Sequence, residues 1–225
     1  MTNTLHRYGD SRTLHNDFIV FAIPCRGYND KDSVPKLREF LRLAVKHKPV
    51  NIGDGSKGGM YRPSTKLNPL AHWKRQTQPD IEEVVEKVSN PTTVAAVFDN
   101  KEAAENFVDE VRKADLGLSI NISALIDRAQ ECCRDINLPR HSVEYSLGFI
   151  GKTDRLAERQ VLELSTMCGH GMISFTFARK MIDWVKEGRR TPTQACGYLS
   201  RFCSCGIFNP SRAQEILEDA RLHNS

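Results

Sequence analysis

Apolar residues in this chain come in two rhythms, short unbroken runs and helical stripes. Residues 17–24, Asp-Phe-Ile-Val-Phe-Ala-Ile-Pro, form an apolar run closed by proline and predict a buried strand. Ser33 precedes Leu37, Phe40, Leu41, Ala44 and Val45 at helical spacing, so it predicts a capped helix. Asp80 with Glu83 forms a capping-box pattern ahead of Val84, Val85 and Val88. Residues 92–98 predict a second buried strand. Asp99 with Glu102 then predicts another capped helix, running to about Asp115. Residues 117–123 alternate with period two, residues 124–136 follow a helical stripe, and residues 141–149 alternate again.

This order, β-α followed by β-α-β-α-β, predicts an α+β or α/β layered domain over residues 17–150. A split ferredoxin-like sheet and a parallel wound sheet both satisfy it. Residues 1–16 are polar and predict a flexible arm. Residues 46–79 hold Pro49, Pro63, Pro69 and the run Gly53-Asp-Gly-Ser-Lys-Gly-Gly59, and predict a long irregular basic loop. Beyond Gly151 the strand signals stop. Helices are expected over 154–167 and 172–187, then from Thr191-Pro192-Thr193-Gln194 and from Asn209-Pro210, the last to about His223. Residues 151–225 therefore read as a small α-helical domain that carries most of the cysteines.

Composition narrows the classes. Of 225 residues, 40% are hydrophobic and 27% charged, enough for a packed core and unlike a disordered chain. No run approaches the roughly 18–20 apolar residues of a membrane span, and the first residues contain no apolar signal segment. The formal charge of +4 is mild and does not by itself argue for nucleic acid. Residues 46–76 do interleave Lys46, Lys48, Lys57, Arg62, Lys66, Lys74 and Arg75 with Tyr61 and Trp73, a pattern suited to stacking on single strands. Seven cysteines, an odd count with no export signal, imply reduced thiols in a cytoplasmic protein.

Four of those thiols sit near predicted helix joints. Cys168-Gly169-His170-Gly171 separates two helices, with Cys168 expected just before the second helix starts. Cys203-Ser204-Cys205-Gly206 ends a third, and Cys196 lies seven residues earlier, about two helical turns away. Thiolates bind soft metals and iron–sulfur clusters, and turn-borne thiolates converge more readily than helix-interior ones. Cys168, Cys203 and Cys205 are therefore expected to hold a [4Fe–4S] cluster. Cys196 or His170 would be the fourth ligand, or His170 the catalytic residue beside an open iron. The expected function is redox or lyase chemistry on a small anionic molecule, with an electron-transfer partner if the chemistry is redox. The alternatives are a zinc-stabilised module binding nucleic acid or protein, and a metal-free enzyme with Cys168 as nucleophile.

The anion would be met by Arg201, Arg212 or Lys57; Arg179, Arg189 and Arg190 belong to the same cationic set. The Gly53–Gly59 run lacks the spacing of a phosphate-binding loop, because Lys57 precedes Gly58. Cys132 and Cys133 fall on a helical stripe and read as core. Cys25, His141, Glu144 and Tyr145 read as structural.

Overall fold

The structure, a computed structural model, describes residues 7–55, 58–59, 81–203 and 205–223. Strand β1 (Phe18–Ile23) leads through helix α1 (Ser33–Lys46) to a hairpin of β2 (Asn51–Asp54) and β3 (Gly58–Gly59). Helix α2 (Ile81–Lys87), β4 (Val94–Phe98), α3 (Lys101–Ala114), β5 (Ser119–Ser123) and α4 (Ile126–Asp135) follow. A 3-10 turn (Thr153–Arg155) then opens four helices: α5 (Arg159–Thr166), α6 (Phe175–Lys186), α7 (Pro192–Ser200) and α8 (Pro210–Leu222).

The sheet order is β3-β2-β4-β1-β5, and every neighbouring pair is antiparallel. This decides between the two sheet arrangements open from the sequence. With β4 inserted between β1 and β2, and β1 between β4 and β5, the order is that of a split β-α-β sheet, and the fold is mixed α+β.

Both faces of the sheet's centre are buried, which explains why β1 and β4 are apolar at every position. Phe18, Val20, Val94, Ala96 and Phe98 face one way, onto Leu37, Phe40 and Leu41 of α1 and Phe107 and Val108 of α3. Ile19, Phe21, Ala95 and Val97 face the other way, into one apolar cluster with α5–α8. The helices after Gly151 thus complete their core on the sheet.

Several local expectations change. Residues 51–54, expected inside a long loop, form β2 and pair with β4. Residues 141–149, expected as a strand, form no ladder, and Tyr145 and Leu147 are exposed. The sheet ends at β5, and alternation makes a strand only where a backbone neighbour accepts its hydrogen bonds. Ser33 is the first residue of α1 and not its cap: its hydroxyl donates to the Asp30 carbonyl at 2.8 Å, and Asp32, at the cap position, makes no side-chain capping bond. Helix α3 is capped by Asn100, whose side chain accepts from the Ala103 N–H at 2.8 Å, and not by Asp99. Helix α5 starts at Arg159, since Glu158 is extended.

The arm is tied down over residues 7–17. The Tyr8 N–H donates to Thr166 Oγ1 at 2.9 Å and the Thr13 hydroxyl to the Glu163 carboxylate at 2.8 Å. No helix among the described residues is long and apolar enough to cross a membrane.

Candidate metal centre at the cysteine turns

Three of the four proposed cysteine ligands meet. Cys168 lies in the turn after α5, where Gly169 and Gly171 take left-handed φ values of 68° and 66°. Cys203 and Cys205 lie in the turn after α7, ended by Gly206 at φ 72°. Both turns pack against the sheet, and the second rests directly on β2. A Cβ on Gly206 would stand 2.4 Å from the Ile52 carbonyl oxygen, and one on Gly53 would stand 2.5 Å from the Cys205 oxygen. Gly53 is therefore glycine because the cysteine turn crosses it, not because it cradles phosphate. The Asn51 side chain adds a clamp by donating to the Phe208 carbonyl at 2.8 Å.

The contacts run in a row. The Cys168 and Cys203 thiols are hydrogen-bonded, Cys203 is bonded to Cys205, and Cys205 Sγ stands 3.4 Å from His170 Nδ1. The three thiols are buried and His170 is exposed, so the row leads from the core to the surface. Backbone N–H groups of His170 and Met172 point at the Cys168 sulfur, and that of Phe208 at Cys203.

These donors favour the thiolate, but stronger effects oppose it. The hydrogen bond to Cys203 and then burial push the Cys168 pKa far up. At Cys203 the bond with Cys168 pulls down, while the bond with Cys205 and burial push up, leaving it at about 12. Without a cation the Cys168 and Cys203 thiols stay neutral, which argues against Cys168 as a free nucleophile. Among the described residues no three His, Cys, Asp or Glu side chains close around one point as a metal ion requires.

The other expected site residues lie elsewhere. Cys196 donates from Sγ to the Pro210 carbonyl at 3.4 Å and meets Gln214, at the joint of α7 and α8. The two-turn spacing fails because α7 ends at Ser200, before Cys203. Helix α6 begins at Phe175 under the Ser174 cap, seven residues past Cys168, so its dipole does not act on that thiol. Arg212 is buried on Asp17, at 3.2 Å, and is not open to an anion. Arg201 lies over the Tyr198 ring at 5.2 Å, and Arg189 and Arg190 lie over Trp184. Lys57, with Tyr61, Arg62, Lys66, Trp73, Lys74, Arg75 and Asp80, lies outside the described residues. Cys132 and Cys133 are core residues, as the helical stripe predicts, and Cys25 is exposed.

A second feature carried no sequence signal beyond its parts. A cavity of about 690 Å³ lies beside β5, between the arm, α4 and residues 138–149, and Arg7 is in its wall.

Compared with protein-family models, with curated proteins and with solved structures, the chain matches none.

Proposed function

We propose that the two cysteine turns form a thiolate metal centre, with Cys168, Cys203 and Cys205 holding a [4Fe–4S] cluster whose fourth iron faces His170 and solvent. The observation that carries this reading is the row of three buried thiols and His170, drawn from turns 35 residues apart. A bound cation would offset the burial and mutual effects that keep Cys168 and Cys203 protonated. Backbone N–H groups on the sulfurs are a recognised means of tuning such clusters. An open iron would supply Lewis-acid or redox chemistry toward a small anionic molecule arriving at the exposed end, where His170 is placed to hold or move a proton. A cytoplasmic setting with reduced thiols suits seven free cysteines.

One distance favours a second reading, a single zinc held by Cys168, Cys203, Cys205 and His170. With Zn–S of about 2.3 Å and Zn–N of about 2.0–2.1 Å, tetrahedral neighbours stand roughly 3.5 Å apart. Cys205 Sγ and His170 Nδ1 are 3.4 Å apart. A cluster spreads its ligands over separate irons, so it requires these side chains to turn outward, whereas zinc requires the row to close around one point.

The test is iron, zinc and acid-labile sulfide content, with a visible spectrum, on protein purified without oxygen. Equal iron and sulfide that vanish in Cys203→Ser but persist in Cys196→Ser support the cluster. Stoichiometric zinc without sulfide establishes the second reading. Protein free of metal under those conditions overturns both.

A further inference from the structure

We infer that the cavity beside β5 binds a small organic anion, a carboxylate or phosphate ester on a flat apolar body, through Arg7. Its volume of about 690 Å³ falls within the roughly 300–1,000 Å³ of small-molecule sites. The walls include Ile120 and Ile122 of β5, Ala129 of α4, Arg7 and Tyr8 of the arm, and Phe149. The Tyr8 and Phe149 rings stack at 5.6 Å and 29°, so one wall is flat and aromatic.

Charge supplies the specificity. The Arg7 side chain is only 5% exposed, yet none of its three guanidinium nitrogens makes a hydrogen bond. Its neighbour is Asp17 Oδ2 at 3.1 Å, and that oxygen also takes Arg212 at 3.2 Å. Asp17 Oδ1 accepts from the Asn209 side chain. The next carboxylate, Glu163, accepts from Thr13 and Arg159. Two buried guanidiniums thus share the Asp17 carboxylate, and the Arg7 N–H donors beside the cavity are left without an acceptor. A buried charge without full pairing is costly, and an entering carboxylate or phosphate would complete the pairing. The aromatic wall and the β5 isoleucines would take the ligand's apolar body.

The site stands apart from the cysteine turns. None of Cys168, Cys203 or Cys205 lines it, and the turn of Cys203 and Cys205 rests on β2, three strands from β5.

The full-length protein is titrated calorimetrically with phenyl phosphate, benzoate and uncharged phenol. Phenyl phosphate or benzoate is expected to bind at least tenfold more tightly than phenol. Arg7→Gln should weaken that binding at least tenfold, and Arg7→Lys, which keeps the charge, should weaken it less. Because Arg7 packs on buried Asp17, each variant's melting curve is recorded. Ala129→Leu narrows the cavity without touching Arg7 and should also cost at least tenfold. The inference is overturned if neither anion binds, if phenol binds as well as they do, or if folded Arg7→Gln and Ala129→Leu bind like the parent.

Discussion

Asp17 shows how much a single residue can organise. It is buried with Arg7, Arg212 and Asn209 around it, and Arg212 also donates to the Tyr8 carbonyl at 2.7 Å. Burial lowers the Arg212 pKa to about 10, Asp17 opposing and Arg7 adding to that shift. The arginine stays charged near neutral pH and must keep its carboxylate. Asp17→Asn is nearly isosteric but takes from two buried guanidiniums the carboxylate they share. Breaking a buried pair in this way costs roughly 3–5 kcal/mol, to be read from the urea-unfolding midpoint. A loss below about 1 kcal/mol, the scale of an exposed pair, would show that the cluster is hydrated. From sequence, Arg212 was visible only as a cation in a first helical turn. Its anion lies 195 residues earlier, beyond the reach of any spacing rule.

Among the elements, the starts of the last two helices were legible, whereas the caps expected at Ser33 and Asp99 do not form. Thr191 and Gln194 form the capping box their spacing predicts, and Asn209 accepts from the Arg212 N–H ahead of Pro210. These contacts span three residues, so neighbouring side chains settle them. The crossing of the cysteine turn over β2 is different, because it needs glycine on both sides. Gly206→Ala carries the left-handed penalty of about 1–2 kcal/mol and also drives a methyl into the Ile52 carbonyl. Gly188→Ala has a similar φ, 70°, with nothing within 4 Å of the new Cβ, so it carries the backbone penalty alone. Chemical denaturation should rank Gly206→Ala clearly below Gly188→Ala. Equal losses would mean that the crossing is not tight. Residues 141–149 mark the limit of pattern reading, since their alternation matches a strand but no ladder receives them.

At the scale of the molecule, covering both sheet faces places six of the seven thiols in the interior. Cys196 is a clear case, pushed up to about 12 by burial from an ordinary value near 9. A thiol whose folded pKa is raised contributes stability that is full below the unfolded value. That contribution is lost as pH rises from about 9 to about 12, because the unfolded chain ionises first. Thermal stability should therefore fall between pH 8 and pH 10.5, and Cys196→Ala should fall less steeply, whatever its stability at pH 7. Parallel slopes would show that Cys196 ionises as readily in the folded protein as in the unfolded chain.

The sequence by itself determined the local structure: the buried strands, most helices, the caps at Thr191 and Asn209, and the cysteine turns with their glycines. Each follows from side chains within about one helical turn of one another, the range over which capping and steric preference act. Only the tertiary structure decided the antiparallel strand order, the meeting of Cys168 with Cys203 and Cys205, and the separation of Cys196 from them. It alone also gave Arg212 its carboxylate and Arg7 its cavity. Those outcomes depend on how three layers pack, and packing joins residues from 35 to 195 positions apart. At such separations the gain from burying apolar faces sets the register, and the polar groups meet where that register brings them.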